Sequence, residues 1–364
     1  MVWPGDANRP EADVGSAITA ASRQKSHRTR HEPLHSSGGG ENRSAWHSHW
    51  CTRRIGAPNW KQSVTFMSLR ATVAFIAASA ATVVHADPVE RDAFAALERP
   101  KPAAVFQYGP ASSQALDVFL PSGKGPHPVA ILIHGGCWRD LPAAGREQLR
   151  PIAAELAKQG IAVWSIGYRR ADENGGGYPG TFQDVATAID ELRSQAAQYD
   201  LDTSRTVVIG HSAGGHLALW ASVRDRLPAH SPLRSTDAFV PGGVISLAGI
   251  ADLKAFGRFV PLLCGPGIIE RLAPEHASTD PYADISPAQL PPPRGRVVMV
   301  SGILDRLVPP YVADDYARLM RRTHSQAVTL IDIPGAGHFD LVTPGVPAWK
   351  EVQLRIVEAL NIGS

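Results

Sequence analysis

Short runs of apolar, mostly β-branched residues recur through the C-terminal two-thirds of the chain: ALDVFL (115–120), PVAILIH (128–134), IAVWSIGY (161–168), TVVIGH (206–211), GVISLAG (243–249), RVVMVSG (296–302) and AVTLIDIP (327–334). Most are apolar without a break, as expected of strands buried on both faces of a parallel sheet. Between them, helix-like patterns fall at 145–159, 181–198, 213–226 and 311–322, with a last one over 346–361. Alternation of this kind predicts an α/β domain, a mostly parallel central sheet with helices on both faces. Residues 250–293 break the rhythm with repeated Pro and Gly. Long connections inside a domain are usually functional or mobile, so a lid-like or substrate-binding insertion is expected there.

The first 66 residues follow neither period. The stretch RQKSHRTRHEPLHSSGGGENRSAWHSHW is polar and rich in His and Arg, a composition that predicts disorder. Met67 then opens MSLRATVAFIAASAATVVHADP, with a basic start at Arg70, an apolar run from Ala71 to Val84 and a small-residue site before Asp87. This is the anatomy of a secretory signal peptide over 67–86, cleaved after Ala86. Its apolar run is short for a membrane span, so no stable membrane insertion is expected after cleavage. A leader placed so far into a chain is odd. The expectation is that translation starts at Met67, that 1–66 is a spurious extension, and that 87–364 is a periplasmic or secreted catalytic domain. A genuine tail before a buried Ala-rich helix is the alternative.

Composition refines this picture. The 364 residues are 44% hydrophobic, enough for a sizeable core. The net charge of +2 comes from 36 Lys/Arg against 34 Asp/Glu, but residues 1–66 hold nine against five of these. The remainder is therefore slightly acidic and carries no nucleic-acid footprint. Of Cys51, Cys137 and Cys264, only the last two would survive cleavage. In an oxidising compartment they could pair or remain buried thiols, and spacing leaves both open. No Cys/His cluster has metal-ligand spacing, and His211 and His216 are five apart rather than the four that stack on one helix face. Neither a metal nor a cofactor is expected.

The chemistry centres on VVIGHSAGGHLALW (207–220), where a strand runs into Gly210-His211-Ser212-Ala213-Gly214 and then into a helix. Strand, tight turn and helix around G-x-S-x-G are the context of a nucleophile elbow, with Ser212 at its apex. A tolerated Gly/Ser loop is the bland alternative. A serine hydroxyl needs a base, and the oxyanion formed on attack needs N–H donors. The amide of Ala213 should be one donor. The turn in ILIHGGCW (131–138) should supply the other from Gly136 and Cys137, with His134 and Gly135 shaping it. The remaining partners should follow as acid, then histidine. His216 and His230 lie too near Ser212 in sequence, and His324 sits in a polar helix end. His338, in the Gly-flanked IPGAGHFD, is preferred. Asp305, directly after RVVMVSG, is the preferred acid, with Asp252 its rival. Trp138, Tyr178 and Phe339 flank the site in sequence and either line an apolar pocket or belong to the core. Asp184 suits a buried structural hydrogen bond better than a substrate contact.

These residues carry a resemblance. HGGCW (134–138), GYRR (167–170), YPGTFQDVATAIDEL (178–192), DTSRTVVIGHSAGGHLA (202–218), SGILDRLVP (301–309) and GAGHFD (335–340) resemble the α/β-hydrolase superfamily. The likeness is to its small esterase/formamidase branch, with BD-FAE-like acyl esterases and kynurenine formamidase, and spans roughly 103–361. It implies the α/β-hydrolase fold, with the nucleophile at Ser212, the acid at Asp305, the base at His338 and the oxyanion turn at 135–137. The formamidase pattern has an aromatic residue where Cys137 stands. The expected function is cleavage of a small-molecule carboxylic ester through an acyl-enzyme. An arylformamidase or amide hydrolase with the same triad is the alternative, and a non-catalytic hydrolase-fold binding protein the third reading. Oligomeric state is not readable.

Overall fold

The structure, a computed structural model, describes residues 87–142, 144–275 and 280–361. The expected extension, the signal peptide, Cys51 and His276 lie outside the described residues. Eight strands form one sheet: β1 (Ala104–Gln107), β2 (Ala115–Phe119), β3 (His127–Ile133), β4 (Ala162–Ile166), β5 (Leu201–His211), β6 (Gly243–Leu247), β7 (Arg296–Gly302) and β8 (Thr329–Ile333), in the order β1-β2-β4-β3-β5-β6-β7-β8. The β1–β2 and β2–β4 pairs are antiparallel, and every other pair is parallel. All residues of β2, β4 and β6 are buried. That requires cover on both faces of the sheet, which explains their unbroken apolar runs. The edge strands, β1 and β8, are partly exposed along their length, as is the start of β5 over residues 202–205.

The connections are helical: α1 (Arg91–Ala95), α2 (Arg150–Lys158), α3 (Gly180–Gln195), α4 (Ala213–Ala221), α5 (Leu253–Phe256), α6 (Val260–Cys264), α7 (Ile268–Leu272), α8 (Tyr311–His324) and α9 (Pro347–Ala359). The long helices fall where the periodicity predicts them. The short β1 and α1 had no sequence signal, having too few residues to show a period. Helix α4 is buried at every position, sandwiched against β5 and β6.

The described residues of 250–293 form short helical elements and turns that are stitched to the body rather than a free lid. Phe256, Val260, Ile268, Leu272, Ile285 and Leu290 join the core. His216 Nε2 lies 2.8 Å from the Ile285 carbonyl, Trp220 Nε1 donates to the Asp284 carbonyl (3.0 Å), and the Tyr178 amide donates to the Arg271 carbonyl (2.8 Å).

The register sets where the strands end. Ile133 is opposite Gly210, Gly210 opposite Ser246, Ser246 opposite Met299, and Met299 opposite Leu330. The loops carrying HGGCW, Ser212, Asp305 and His338 therefore all leave the sheet along one edge, at the carboxyl ends of parallel strands. Open α/β sheets bind their ligands at that edge.

Candidate active site

Strand β5 ends at His211, α4 begins at Ala213, and Ser212 between them has φ 56° and ψ −120°. This backbone conformation is costly for a residue with a Cβ, about 1–3 kcal/mol, and persists only where the surroundings enforce it. Here they do: the Ser212 amide donates to the Leu247 carbonyl (2.9 Å), and the Ser212 carbonyl accepts from Gly215 (2.9 Å). The turn closes only on glycine. A Cβ at Gly210 would lie 1.9 Å from the Gly214 carbonyl oxygen, and one at Gly214 would lie 2.1 Å from that of Ile133. Gly214→Ala is expected to destabilise the fold by about 3 kcal/mol or prevent folding, because the obstacle is backbone that cannot yield. Urea midpoints of the purified variant check this, and a wild-type midpoint would contradict it.

Asp305 and His338 meet above the ends of β7 and β8. His338 Nδ1 lies 2.7 Å from Asp305 Oδ2, and both side chains are buried. The other carboxylate oxygen accepts the amides of Leu307 (2.8 Å) and Val308 (2.9 Å), so the carboxylate cannot rotate away. With Nδ1 donating to the carboxylate, the proton-accepting position left to the imidazole is Nε2. Leu304 donates its amide to the Ala336 carbonyl (2.8 Å), joining the acid loop to the histidine loop. Asp340, which the sequence reading passed over, braces the same loop by accepting the amides of Gly337 (2.9 Å) and Val89 (3.0 Å). The rival acid, Asp252, is a helix cap for α5, accepting the Ala255 amide (2.9 Å).

The third part is the HGGCW turn. Gly136, Cys137 and Trp138 have φ of 99°, 60° and 50°, three left-handed residues in succession. Runs of turned-up amides of this kind form anion-binding concavities. A Cβ on Gly135 would lie 3.2 Å from Ser212 Cβ, so the turn is pressed against the elbow. Ala213, as the first residue of α4, has an amide that no acceptor within its own helix can reach. His134 is structural: its ring stacks on Tyr168 at 4.3 Å, and burial pushes its pKa down to about 3.

Cys137 and Cys264 form a disulfide, the pairing that spacing left open, and it ties this turn to the end of α6. Beside it, Arg139 donates to the Cys264 carbonyl (3.1 Å). A crosslink spanning 127 residues removes much unfolded-chain freedom. Cys264→Ser is therefore expected to lower stability by about 3 kcal/mol. Urea unfolding with and without reductant checks this, and identical curves would contradict it.

The three flanking aromatics are placed differently from one another. Trp138 is fully buried with its ring edge-on to His216 (5.4 Å), so it anchors the strained turn in the core. Tyr178 is half-buried and donates its hydroxyl to Asp284 (2.9 Å), in a cavity with Ser231, Pro232 and Pro281 that Ser212 does not line. Phe339 stacks on Phe94 (5.1 Å) and meets the His338 ring edge-on (5.1 Å). Asp184 is buried in an ion pair with Arg169 (2.7 Å) and accepts from Gln114 (2.8 Å), the structural role expected. His230 and His324 are exposed.

A mostly parallel sheet bearing a strand–elbow–helix, with paired acid and histidine loops on the strand ends beyond it, defines an α/β-hydrolase-fold protein. Residues 116–260 match the BD-FAE family model. The chain is 29% identical over 252 residues to esterase LipC of Mycobacterium tuberculosis, covering 65% of this chain and 59% of that protein. Kynurenine formamidase of Danio rerio is 30% identical over 148 residues, covering 39% of this chain and 46% of that one. The chain spans little more than half the length of the first curated relatives it matches. Among solved structures, Thermogutta terrifontis Est2, an esterase bound to propionate, superposes with a TM-score of 0.56 at 23% identity, covering 73% of this chain and 96% of that one. A truncated carbohydrate esterase from gut microbiota gives 0.55 at 24% identity, covering 72% and 100%.

Proposed function

We propose that the chain is a serine hydrolase of small carboxylic esters, working through an acyl-enzyme. The observation that carries this reading is the Asp305–His338 hydrogen bond, held on the same sheet edge as a serine in an enforced elbow. In this mechanism Ser212 attacks the ester carbonyl while His338 Nε2 takes its proton. Asp305 holds the ring in the required tautomer and stabilises the imidazolium. The amides of Ala213 and of Gly136 or Cys137 receive the oxyanion. His338 then protonates the leaving alcohol, and water, activated by the same imidazole, releases the acid.

The second reading is a formamidase with the same residues, favoured by the similarity to the Danio rerio protein. Against it stands Cys137, disulfide-bonded where the formamidase pattern has an aromatic residue. The disulfide also supports export to an oxidising compartment, periplasmic or extracellular, after cleavage of residues 67–86, with 87–364 as the catalytic domain. Side-by-side turnover of p-nitrophenyl acetate and N-formylkynurenine, with Ser212→Ala as the blank, tests the proposal. Serine-dependent ester turnover with little formamide turnover is the expected result. The reverse ranking would make the formamidase reading the correct one, and no serine-dependent turnover of either would leave a binding protein.

A further inference from the structure

His211, immediately before the proposed nucleophile, has a place in the site that the mechanism above does not use. It is the last residue of β5, paired with Leu247, and only 2% exposed. Its ring lies 4.6 Å from the His338 ring, and its Nε2 is 3.0 Å from the His338 carbonyl oxygen. A carbonyl only accepts, so Nε2 carries the proton and donates it. That leaves Nδ1 as a lone pair, which has no hydrogen-bond partner among the described residues and lies 3.2 Å from where a Gly135 Cβ would be. The imidazole is thus wedged between the oxyanion turn on one side and the histidine loop on the other, and it shares a backbone with Ser212.

We propose that His211 is a positioning residue that sets the place of the His338 imidazole relative to Ser212, acting through its hydrogen bond to the His338 main chain. The inference rests on the serine-hydrolase reading, and on geometry that the reading does not need. Asp305 fixes the His338 ring at Nδ1, and Leu304 and Asp340 hold the backbone just before it at Ala336 and Gly337, but none of these contacts comes from the strand that carries Ser212. The bond from His211 adds that restraint, on the His338 backbone itself, directly from the residue before the nucleophile. Misplacement of a reacting group by about 1 Å can cost about 100-fold in rate, so such a restraint has catalytic value.

The electrostatics agree. Burial first, and the neighbouring His338 second, push the His211 pKa well below that of a free imidazole. The residue remains a neutral donor and places no fixed positive charge beside an imidazolium that must form during the reaction.

Two variants of the full chain test this. His211→Gln keeps an N–H of similar reach, whereas His211→Leu fills the space without a donor. The leucine variant is expected to lower kcat for p-nitrophenyl acetate about 10- to 100-fold with KM within about twofold, and glutamine to recover most of the loss. A purely structural role predicts instead that both variants lose stability and activity in parallel, or that the folded leucine variant keeps wild-type kcat; either result overturns the proposal. A second readout does not depend on turnover. The downfield proton resonance of His338 Nδ1–H should be sharp in the wild type and in the glutamine variant, and broadened or lost with leucine. A resonance unchanged with leucine overturns the positioning role even if the protein proves to have no esterase activity. Conversely, loss of the resonance with no wild-type turnover would retain the positioning and discard the enzyme.

Discussion

Ser212→Ala is expected to lower ester turnover by about 10⁵-fold without unfolding the protein, because the side chain removed is the one that would form the acyl bond. The backbone argument makes this substitution unusually clean. Alanine also has a Cβ, so the φ of 56° at this position is as strained in the variant as in the wild type, and the hydrogen bonds to Leu247 and Gly215 use only main chain. Turnover should therefore disappear while the urea midpoint stays. The remaining catalysis would come from the oxyanion amides and substrate binding alone, which in triad enzymes leave a rate about 10³–10⁴ above water. Asp305→Asn should also be severe, since an amide can present its NH₂ to His338 and select the wrong tautomer. Asp252→Asn is the control: as the cap of α5 it should leave kcat unchanged. If Ser212→Ala kept more than about 1% of the wild-type rate, the acyl-enzyme reading would be wrong, whatever the elbow looks like.

Much of this site could be read before any coordinates, and the reasons are physical. A strand buried on both faces must be apolar throughout, so β3, β5, β6 and β7 announce themselves. An elbow that admits no Cβ at Gly210 or Gly214 must be written with glycine. Chain order then picked Asp305 and His338 out of several acids and histidines, since a loop leaving the end of a parallel strand can reach a nucleophile on the same edge. What stayed hidden depends on three-dimensional pairing. Nothing in the spacing of Cys137 and Cys264 says that the end of α6 meets the HGGCW turn. The lid-like reading of 250–293 missed that its apolar residues are spread through short helical turns that bury Ile268, Leu272 and Ile285 one at a time. Asp340 could have been noticed in GAGHFD, because an acid two residues after a Gly-flanked histidine is well placed to accept amides from that loop. Trp138 could be read either as a pocket or as a core residue from its neighbours, and its complete burial against His216 depends on packing that its spacing does not reveal.

The second large effect concerns acid. His134, His211 and His216 are fully buried without a carboxylate partner, and burial depresses the pKa of each, to about 3 for His134 and about 4 for His216. In the unfolded chain all three return to the ordinary value near 6.5. Between that value and the folded ones, the unfolded state binds more protons than the folded state, so stability is complete above pH 6.5 and falls as the pH falls. At pH 5 the loss is about 2 kcal/mol for each of His134 and His216, roughly 4 kcal/mol together, and His211 adds to it in the same direction. Domains commonly have only about 5–15 kcal/mol of stability, so a large part of it should be gone at pH 5. The carboxylates do not account for this window: Asp202, held at about 2 first by Ser204 and then by Arg205, gives up its contribution only below the ordinary carboxylate range. Urea unfolding at pH 7.5, 6 and 5 should show the decline, and His216→Gln should flatten the slope by about 1.4 kcal/mol per pH unit. A stability that stays level from pH 6.5 to 5 would mean that the three imidazoles are protonated in the native state. That would contradict their burial, and for His211 it would place a positive charge against the very imidazolium the proposed reaction has to form.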